Sequence, residues 1–397
     1  MSSARARIQS IEARPLSARL LEPFEIASAR VETTLSVHVA ATLSLLSLEG
    51  GSGKTAEGLG EAASLPPITR EDQPEALANV LRAASSLTGL TLPLPDISAL
   101  RDADKQSETL EPLVAELNAA LTAIVPAAPV ARAGLETAIL DAVAKLLGLP
   151  LRALLGGTPD EFELITDITI PIGDPPHMAE LAKAWRAMGF AAFKVKVGKD
   201  LDHDLEALER IARAVPGSVL RIDANAGFSS GEAIEFVREL ERRKIPLDCF
   251  EQPCAAADLE GMAEVARAIE IPVIADESVA TLADLERVLA ANAADGVNLK
   301  LAKSGGPLAA LAIGRAALAS GMDLMVGGMV ETRLGMTAAA HVAAALGGAR
   351  FIDLDTAWLL AEDLYEGGYR ADGPKYSLGP EPGLNVRVAA RRSINEP

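Results

Sequence analysis

Phe193-Lys194-Val195-Lys196-Val197-Gly198 alternates strictly, with apolar residues on one side and two lysines on the other. Period two is the signature of a β-strand. The run lies between a helix-like segment ending at Gly189 and a polar stretch starting at Lys199, so it reads as a central strand. Its lysines then face neither bulk water nor ordinary core. A lone Lys-x-Lys strand is usually a solvated face. What gives this one weight is the series of strand ends around it.

From residue 163 onward strand-like and helix-like runs alternate. Ile165–Ile170 carries Thr166 and Thr169, and Lys194 and Lys196 close the next run. Leu220–Asn225 ends at Asp223, Asp248–Pro253 at Glu251, and Val273–Ser278 at Asp276. Gly296–Lys300 ends at Lys300, Asp323–Gly328 at Gly327 and Gly328, and Phe351–Asp355 at Asp353. Successive ends from Lys194 to Asp353 are 24 to 29 residues apart, which is one strand, one helix and two loops. Segments 178–189, 201–215, 230–243, 258–269, 281–292, 306–320 and 333–346 accept helical periodicity. Eight such units predict a parallel α/β barrel, whose active site lies at the C-terminal strand ends. An open doubly wound sheet is the alternative, but no Gly-rich turn follows the first strand.

Before the barrel, residues 1–65 read as strands, with Gly50-Gly51-Ser52-Gly53 as a turn. Gly53-Lys54-Thr55 resembles the end of a phosphate-binding loop, but Leu48 stands where that motif needs glycine. Residues 70–125 are helical in pattern, interrupted by Pro93, Pro95 and a polar run, and 130–147 reads as a strong amphipathic helix. At 397 residues, 49% hydrophobic, the chain can bury a large core across two domains. A net charge of −18 argues against nucleic acid and anionic membranes as partners. No apolar run has spanning length, and the N-terminus does not resemble a signal peptide. Two cysteines make no disulfide framework. A cytoplasmic enzyme is expected.

Asp223, Glu251 and Asp276 end three successive strands, and neighbouring strands lie about 5 Å apart. Three carboxylates so close repel unless a divalent cation joins them. Oxygen ligands alone suit Mg2+ or Mn2+, and no organic cofactor is expected. Lys196 and Lys300 flank these strands, placed to take a proton from one face of a carbon and return it to the other. The carbon acid would sit beside a carboxylate whose developing charge a cation takes up. A lysine base needs a lowered pKa, and Lys194 supplies a second ammonium that would lower it. Asp353 and Asp355 on the last strand form a socket for an ammonium, so the ligand would carry a free amine and a carboxylate, as a dipeptide does. The histidines His38, His177, His203 and His341 fall at no barrel strand end and read as structural or surface.

The motifs Lys194-Val-Lys196, Asp223-Ala-Asn225, Glu251-Gln-Pro253, Asp276-Glu-Ser278 and Lys300-Leu-Ala-Lys-Ser-Gly-Gly306 together resemble the enolase superfamily, in its muconate lactonising subgroup. That resemblance implies a modified (β/α)7β TIM-type barrel with an α+β capping domain formed by the N-terminus and the C-terminal tail. The expected division is 1–130 for the cap, 131–360 for the barrel and 361–397 for the tail returning to the cap. It also implies Asp223, Glu251 and Asp276 as Mg2+ ligands, Lys196 and Lys300 as the acid/base pair, and Lys194 as a carboxylate-binding group. Asp353-Leu354-Asp355 resembles the Asp-x-Asp of dipeptide epimerases, such as the L-Ala-D/L-Glu epimerases, in which Thr169 and Gly328 would touch the substrate backbone. Glu331 is another family-like position. Phe24–Arg30 resembles the specificity loop, where Arg30 would pair with a glutamate side chain. The expected reaction is epimerisation of a dipeptide, for example L-Ala-L-Glu to L-Ala-D-Glu, in peptidoglycan turnover, by a homo-oligomer. N-acylamino acid racemase, o-succinylbenzoate synthase and muconate cycloisomerase are the alternatives within the subgroup.

Overall fold

The computed structural model describes residues 4–46, 52–100 and 103–389, so Gly50 and Gly51 of the expected turn lie outside the described residues. The cap begins with an antiparallel sheet of Arg5–Glu25, Arg30–Leu46, Ser52–Ser64 and Thr91–Pro93, in spatial order third, second, first, fourth. Alternation explains the second strand: Val37, Val39, Ala41 and Leu43 are wholly buried on one face. Its pairing with the first strand ends at Glu25 opposite Arg30, which makes Phe24–Arg30 a hairpin tip. Helix Gln73–Leu87 starts in a capping box of Asp72 and Glu75.

Helix Pro129–Leu147 is not amphipathic as expected but buried on nearly every side, because it is sandwiched between layers. A Cβ on Gly58 or Gly60 would come within 2.1 Å of a carbonyl oxygen of this helix. The glycines that follow Lys54 therefore let the third capping strand lie directly on the helix. Lys54 itself donates to Lys145 O at 3.1 Å and Leu146 O at 3.0 Å, capping the helix C-terminus. This accounts for the Gly-Lys-Thr stretch without a phosphate.

The eight-stranded parallel sheet follows chain order: Ile168–Ile170, Ala192–Lys196, Val219–Asp223, Phe250–Glu251, Val273–Ala275, Gly296–Leu299, Asp323–Val326 and Phe351–Ile352. Helices Pro175–Ala187, Leu201–Ala214, Ser230–Arg242, Leu259–Ala268, Leu282–Ala291, Pro307–Ala319 and Arg333–Leu346 separate them. This is the expected α/β barrel of (β/α)7β type under an α+β cap. The ladder does not close by regular pairing between its last and first strands. One backbone bond, Asp167 N to Ile352 O at 3.1 Å, and Leu354 N to Thr166 Oγ1 at 2.8 Å bridge that gap.

The first predicted strand, 165–170, is split. Phe162–Ile165 pairs antiparallel with Lys375–Leu378, and only Ile168–Ile170 joins the barrel. Thr166 and Asp167 turn the chain inward, with Thr166 N donating to Pro374 O at 2.9 Å. The tail touches both layers. Its hairpin of Arg370–Asp372 and Lys375–Leu378 extends the Phe162–Ile165 strand. Ala361 N donates to Arg19 O at 2.8 Å, and the Tyr365 hydroxyl meets His38 Nδ1 at 2.7 Å on the cap. Among the described residues no helix is long and apolar enough to cross a membrane.

Candidate active site

Lys194, Lys196 and Lys300 are 2%, 6% and 5% exposed, so all three lysines lie inside the barrel. Each strand-end acid sits beside its neighbour: Lys196 is paired with Asp223 across one ladder, and Asp223 with Glu251 across the next. The chain then turns sharply. Asn225 and Gln252 follow these acids with φ of 42° and 35°, strained backbone for residues with side chains. Asn225 N donates to Asp223 Oδ1 at 2.9 Å. The Gln252 amide holds the next strand, accepting from Asp276 N at 2.8 Å and donating to Ser278 Oγ at 2.8 Å.

The acids and lysines interlock. Lys196 Nζ lies 2.5 Å from Asp223 Oδ2, and Lys300 Nζ lies 2.6 Å from Asp276 Oδ2. Lys194 donates to Glu251 Oε2 at 3.0 Å and also to Asp353 Oδ2. Two partners here were not anticipated from sequence. Asn298 Nδ2 donates to Glu251 Oε1 at 2.6 Å, and Lys303 Nζ donates to Asp276 Oδ1 at 2.6 Å. The signals were present: Asn298 stands two residues before Lys300 in the same strand alternation, and Lys303 stands one helical turn after it.

Burial opposes the ammonium charge of Lys194, but Asp353, Glu251 and Asp223 outweigh it and hold its pKa well above the ordinary lysine value. Burial likewise opposes charge on Lys300, while Asp276 and Glu251 hold its pKa up. The lowered lysine pKa expected from sequence is therefore not found in this arrangement, because a carboxylate lies against each of these two ammoniums. Asp276 moves the other way: burial raises its pKa, but Lys300 and Lys303 dominate and lower it.

No three acids among the described residues form a ready-made metal cluster, since lysines occupy them. The donor set nevertheless fits a hard divalent cation. Asp223, Glu251 and Asp276 are wholly buried, on adjacent strands, and offer only oxygen.

Across the mouth, Asp355 Oδ2 accepts from Thr169 N at 2.5 Å. Burial and then Asp353 push the Asp355 carboxyl up to about 6. Asp353 Oδ1 and Asp355 Oδ1 are buried without a partner. Gly327 makes this approach possible, because a Cβ there would lie 2.9 Å from Asp353 Oδ2 and 2.9 Å from Asn298 Oδ1. Glu61 of the third capping strand fixes the following loop, accepting from Thr332 Oγ1 at 2.5 Å and from Gly335 N at 3.1 Å. Glu331 accepts from Met329 N at 2.9 Å, and burial followed by the charge of Glu61 raises it to about 8.

A cavity joins these groups. Lys194, Lys196, Lys300, Thr169, Gly328, Asp353 and Asp355 line it. Phe24, Ile26, Leu65 and Ile68 cover it from the cap, and Met329 and Val330 from the loop after the seventh strand. Arg30 is not brought in. It is exposed at the hairpin tip and paired with Glu25 at 3.3 Å and Glu32 at 3.7 Å. The histidines stay away from the site as expected: His341 Nδ1 accepts from Arg152 N at 3.0 Å in the core.

Residues 177–392 match the family described as "Enolase C-terminal domain-like". The chain is 39% identical to an L-Ala-D/L-amino acid epimerase of Populus trichocarpa, over 94% of this chain and 82% of that protein. It is 36% identical to an aromatic dipeptide epimerase of Herpetosiphon aurantiacus, over 96% and 99%. A crystal structure of a dipeptide epimerase from Enterococcus faecalis, complexed with Mg and L-Leu-L-Tyr, superposes with a TM-score of 0.80 at 29% identity, covering 96% of this chain and 99% of that one. The chain belongs to the dipeptide epimerase family of the enolase superfamily.

Proposed function

We propose that the protein catalyses proton transfer at the α-carbon of the C-terminal residue of a dipeptide, inverting that carbon. The observation that carries this reading is the pair of stations facing one cavity. One is a floor of lysines and strand-end acids; the other is Asp353 and Asp355 with an unpartnered buried oxygen each. A carboxylate suits the first and an ammonium the second. Unpaired buried acceptors cost free energy until a donor fills them.

Asp223, Glu251 and Asp276 would hold Mg2+ or Mn2+, in keeping with the Mg in the Enterococcus faecalis structure. When bound, the cation takes up negative charge that develops on the substrate carboxylate. Lys194, between Glu251 and Asp353, orients that carboxylate. Lys196 ends the second strand and Lys300 directly follows the sixth, on either side of the acids. Once its carboxylate partners no longer hold its proton, one lysine would take the α-proton as an amine, and the ammonium of the other would give a proton to the opposite face. Which one acts as base depends on the substrate's configuration. Thr169 and Gly328 lie where the substrate backbone passes. Acylamino acid racemases and the subgroup's lyases do not need an ammonium station, so the open oxygens of Asp353 and Asp355 favour a dipeptide.

The test is incubation with Mg2+ and a dipeptide library in D2O, read by mass shift and by chiral analysis. Deuterium should enter the C-terminal residue as its configuration inverts. Exchange into N-acylamino acids with none into any dipeptide would overturn the reading.

A further inference from the structure

We infer that the side chain of the epimerised residue is apolar, aliphatic or aromatic, and that acidic side chains are rejected. This rests on the dipeptide reading above and concerns the part of the substrate that reading leaves open. The two anchoring stations take the ends of the molecule and fill the barrel side of the cavity with charge. The remaining wall is mainly Phe24, Ile26, Leu65, Ile68, Met329 and Val330, with Asn225 and Thr356 as its uncharged polar members. Phe24, Ile26 and Val330 pack together with Ala18, Leu20 and Leu360 in a small apolar cluster, separate from the main core. Met329 forms another with Ala63 and Ala302, against which Leu65 and Ile68 pack.

Among the described residues, the cap brings no cation to this wall. Arg30 is the residue at the hairpin tip that could meet a carboxylate, and Glu25 and Glu32 turn it outward. Lys199 is drawn to Glu25 as well. Glu25 is thus supplied with two cations, and the ordinary glutamate pKa is lowered first through its bond to Lys199. A substrate carboxylate against this wall would lose its hydration and find no cation to compensate. An alkyl or aryl group would gain by displacing water there.

The cavity holds about 30 Å3, room for roughly one water. A side chain therefore enters by moving the hairpin tip. That tip is held to the barrel by one backbone bond, Ile172 N to Glu25 O at 2.9 Å, by the packing of Phe24 and Ile26 against Val330 and Leu360, and by ion pairs at its surface, of which the ion pairs contribute little.

The experiment measures kcat/KM for deuterium entry with purified wild-type protein, Mg2+ and a series L-Ala-L-Xaa, with Xaa Val, Leu, Phe, Gln, Asp and Glu. The apolar members should exceed Asp and Glu by on the order of 100-fold, the scale on which a hydrophobic pocket discriminates. Arg30→Ala should leave that ratio unchanged within about threefold, and Ile26→Arg should lower it at least about tenfold by bringing a cation to the wall. Fastest exchange with Glu or Asp in the wild type overturns this inference and leaves the dipeptide reading standing. Exchange with no member of the series, set against exchange of N-acylamino acids, overturns the dipeptide reading and this inference with it. The wild-type series decides the matter even if Ile26→Arg fails to fold.

Discussion

Asp355→Asn separates a functional cost from a structural one. In the wild type Asp355 Oδ2 takes the Thr169 amide at 2.5 Å, and Oδ1 is left open. Asparagine keeps the shape and can still accept from Thr169, but it puts an NH2 where the substrate ammonium would bind. The lost bond is charge-assisted, worth roughly 1.5–3 kcal/mol. That corresponds to a fall in kcat/KM of roughly 10- to 150-fold.

Stability should move in the opposite direction. The Asp355 carboxyl rises from 3.8 to about 6 through burial and then Asp353. A folded-state pKa above the unfolded one means that the folded chain binds this proton more tightly. The group's contribution is most favourable below pH 4 and is lost as pH rises through 6. Above pH 6 the buried charge costs about 3 kcal/mol. The variant should therefore melt higher than the wild type at pH 8, and the gap should close by pH 4. The same titration gives the wild-type kcat/KM a limb that falls as pH drops through about 6, and the variant should lack it. The assay is deuterium entry into a responsive dipeptide, alongside thermal melts at both pH values. A variant within about threefold of wild type at pH 8, where 1.4 kcal/mol would be tenfold, refutes the ammonium station.

Three further outcomes follow from the same geometry. Lys196→Met and Lys300→Met should each lower exchange by on the order of 10²- to 10⁴-fold with one substrate configuration; two-way epimerisation surviving in either variant would break the pairing of bases. Glu61→Gln keeps the volume, and its carbonyl oxygen can still accept from the Thr332 hydroxyl and the Gly335 amide, but it turns an NH2 toward the Thr332 amide that Glu61 Oε1 accepts at 3.2 Å. It should cost about 1–3 kcal/mol in urea unfolding and raise KM through the loop carrying Gly328 and Met329; an unchanged KM in a destabilised variant would make Glu61 structural only. His341 is buried and neutral, its pKa lowered from 6.5 to about 3 by burial and then Arg152. The unfolded chain takes up that proton first, so stability present above pH 6.5 drains away on acidification toward 3. The wild-type urea midpoint should fall more steeply from pH 7 to 4 than that of His341→Gln, and parallel slopes would count against it.

Most of the barrel was legible because repetition carries information that single strands do not. Glu251 and Asp276 lie at the ends of strands of only two and three regularly paired residues. Their spacing from Asp223 nevertheless places them at the mouth. The break at Thr166-Asp167 was not legible, since 165–170 is uniformly strand-like. It is tertiary partners, Pro374 O and Ile352 O, that pull the two halves apart. The direction of Arg30 was out of reach for a related reason. Its place at a loop tip was readable, but its direction is set by Glu25 and Glu32, which compete for it in space. The proton affinities were likewise out of reach. They depend on which acid lies against which lysine, and that is fixed only when eight strands close.

The lysines and acids of the barrel form one requirement. Two residues apart on one strand, Lys194 and Lys196 both point into the closed interior. An isolated ammonium there would be prohibitively costly. The neighbouring strand can relieve it only at its own inward positions, and there Asp223 stands beside Lys196. Glu251 and Asp353 do the same for Lys194, and Asp276 for Lys300. Removing one partner strands the other's charge, at about 3–5 kcal/mol. Substitutions at these acids should thus weaken the fold as well as any metal site. A cation added to Asp223→Asn would then restore little stability, whereas the same cation should raise the melting temperature of the wild type. The charges that make the mouth reactive are the ones that make it hard to fold, which is why they occur here as a set.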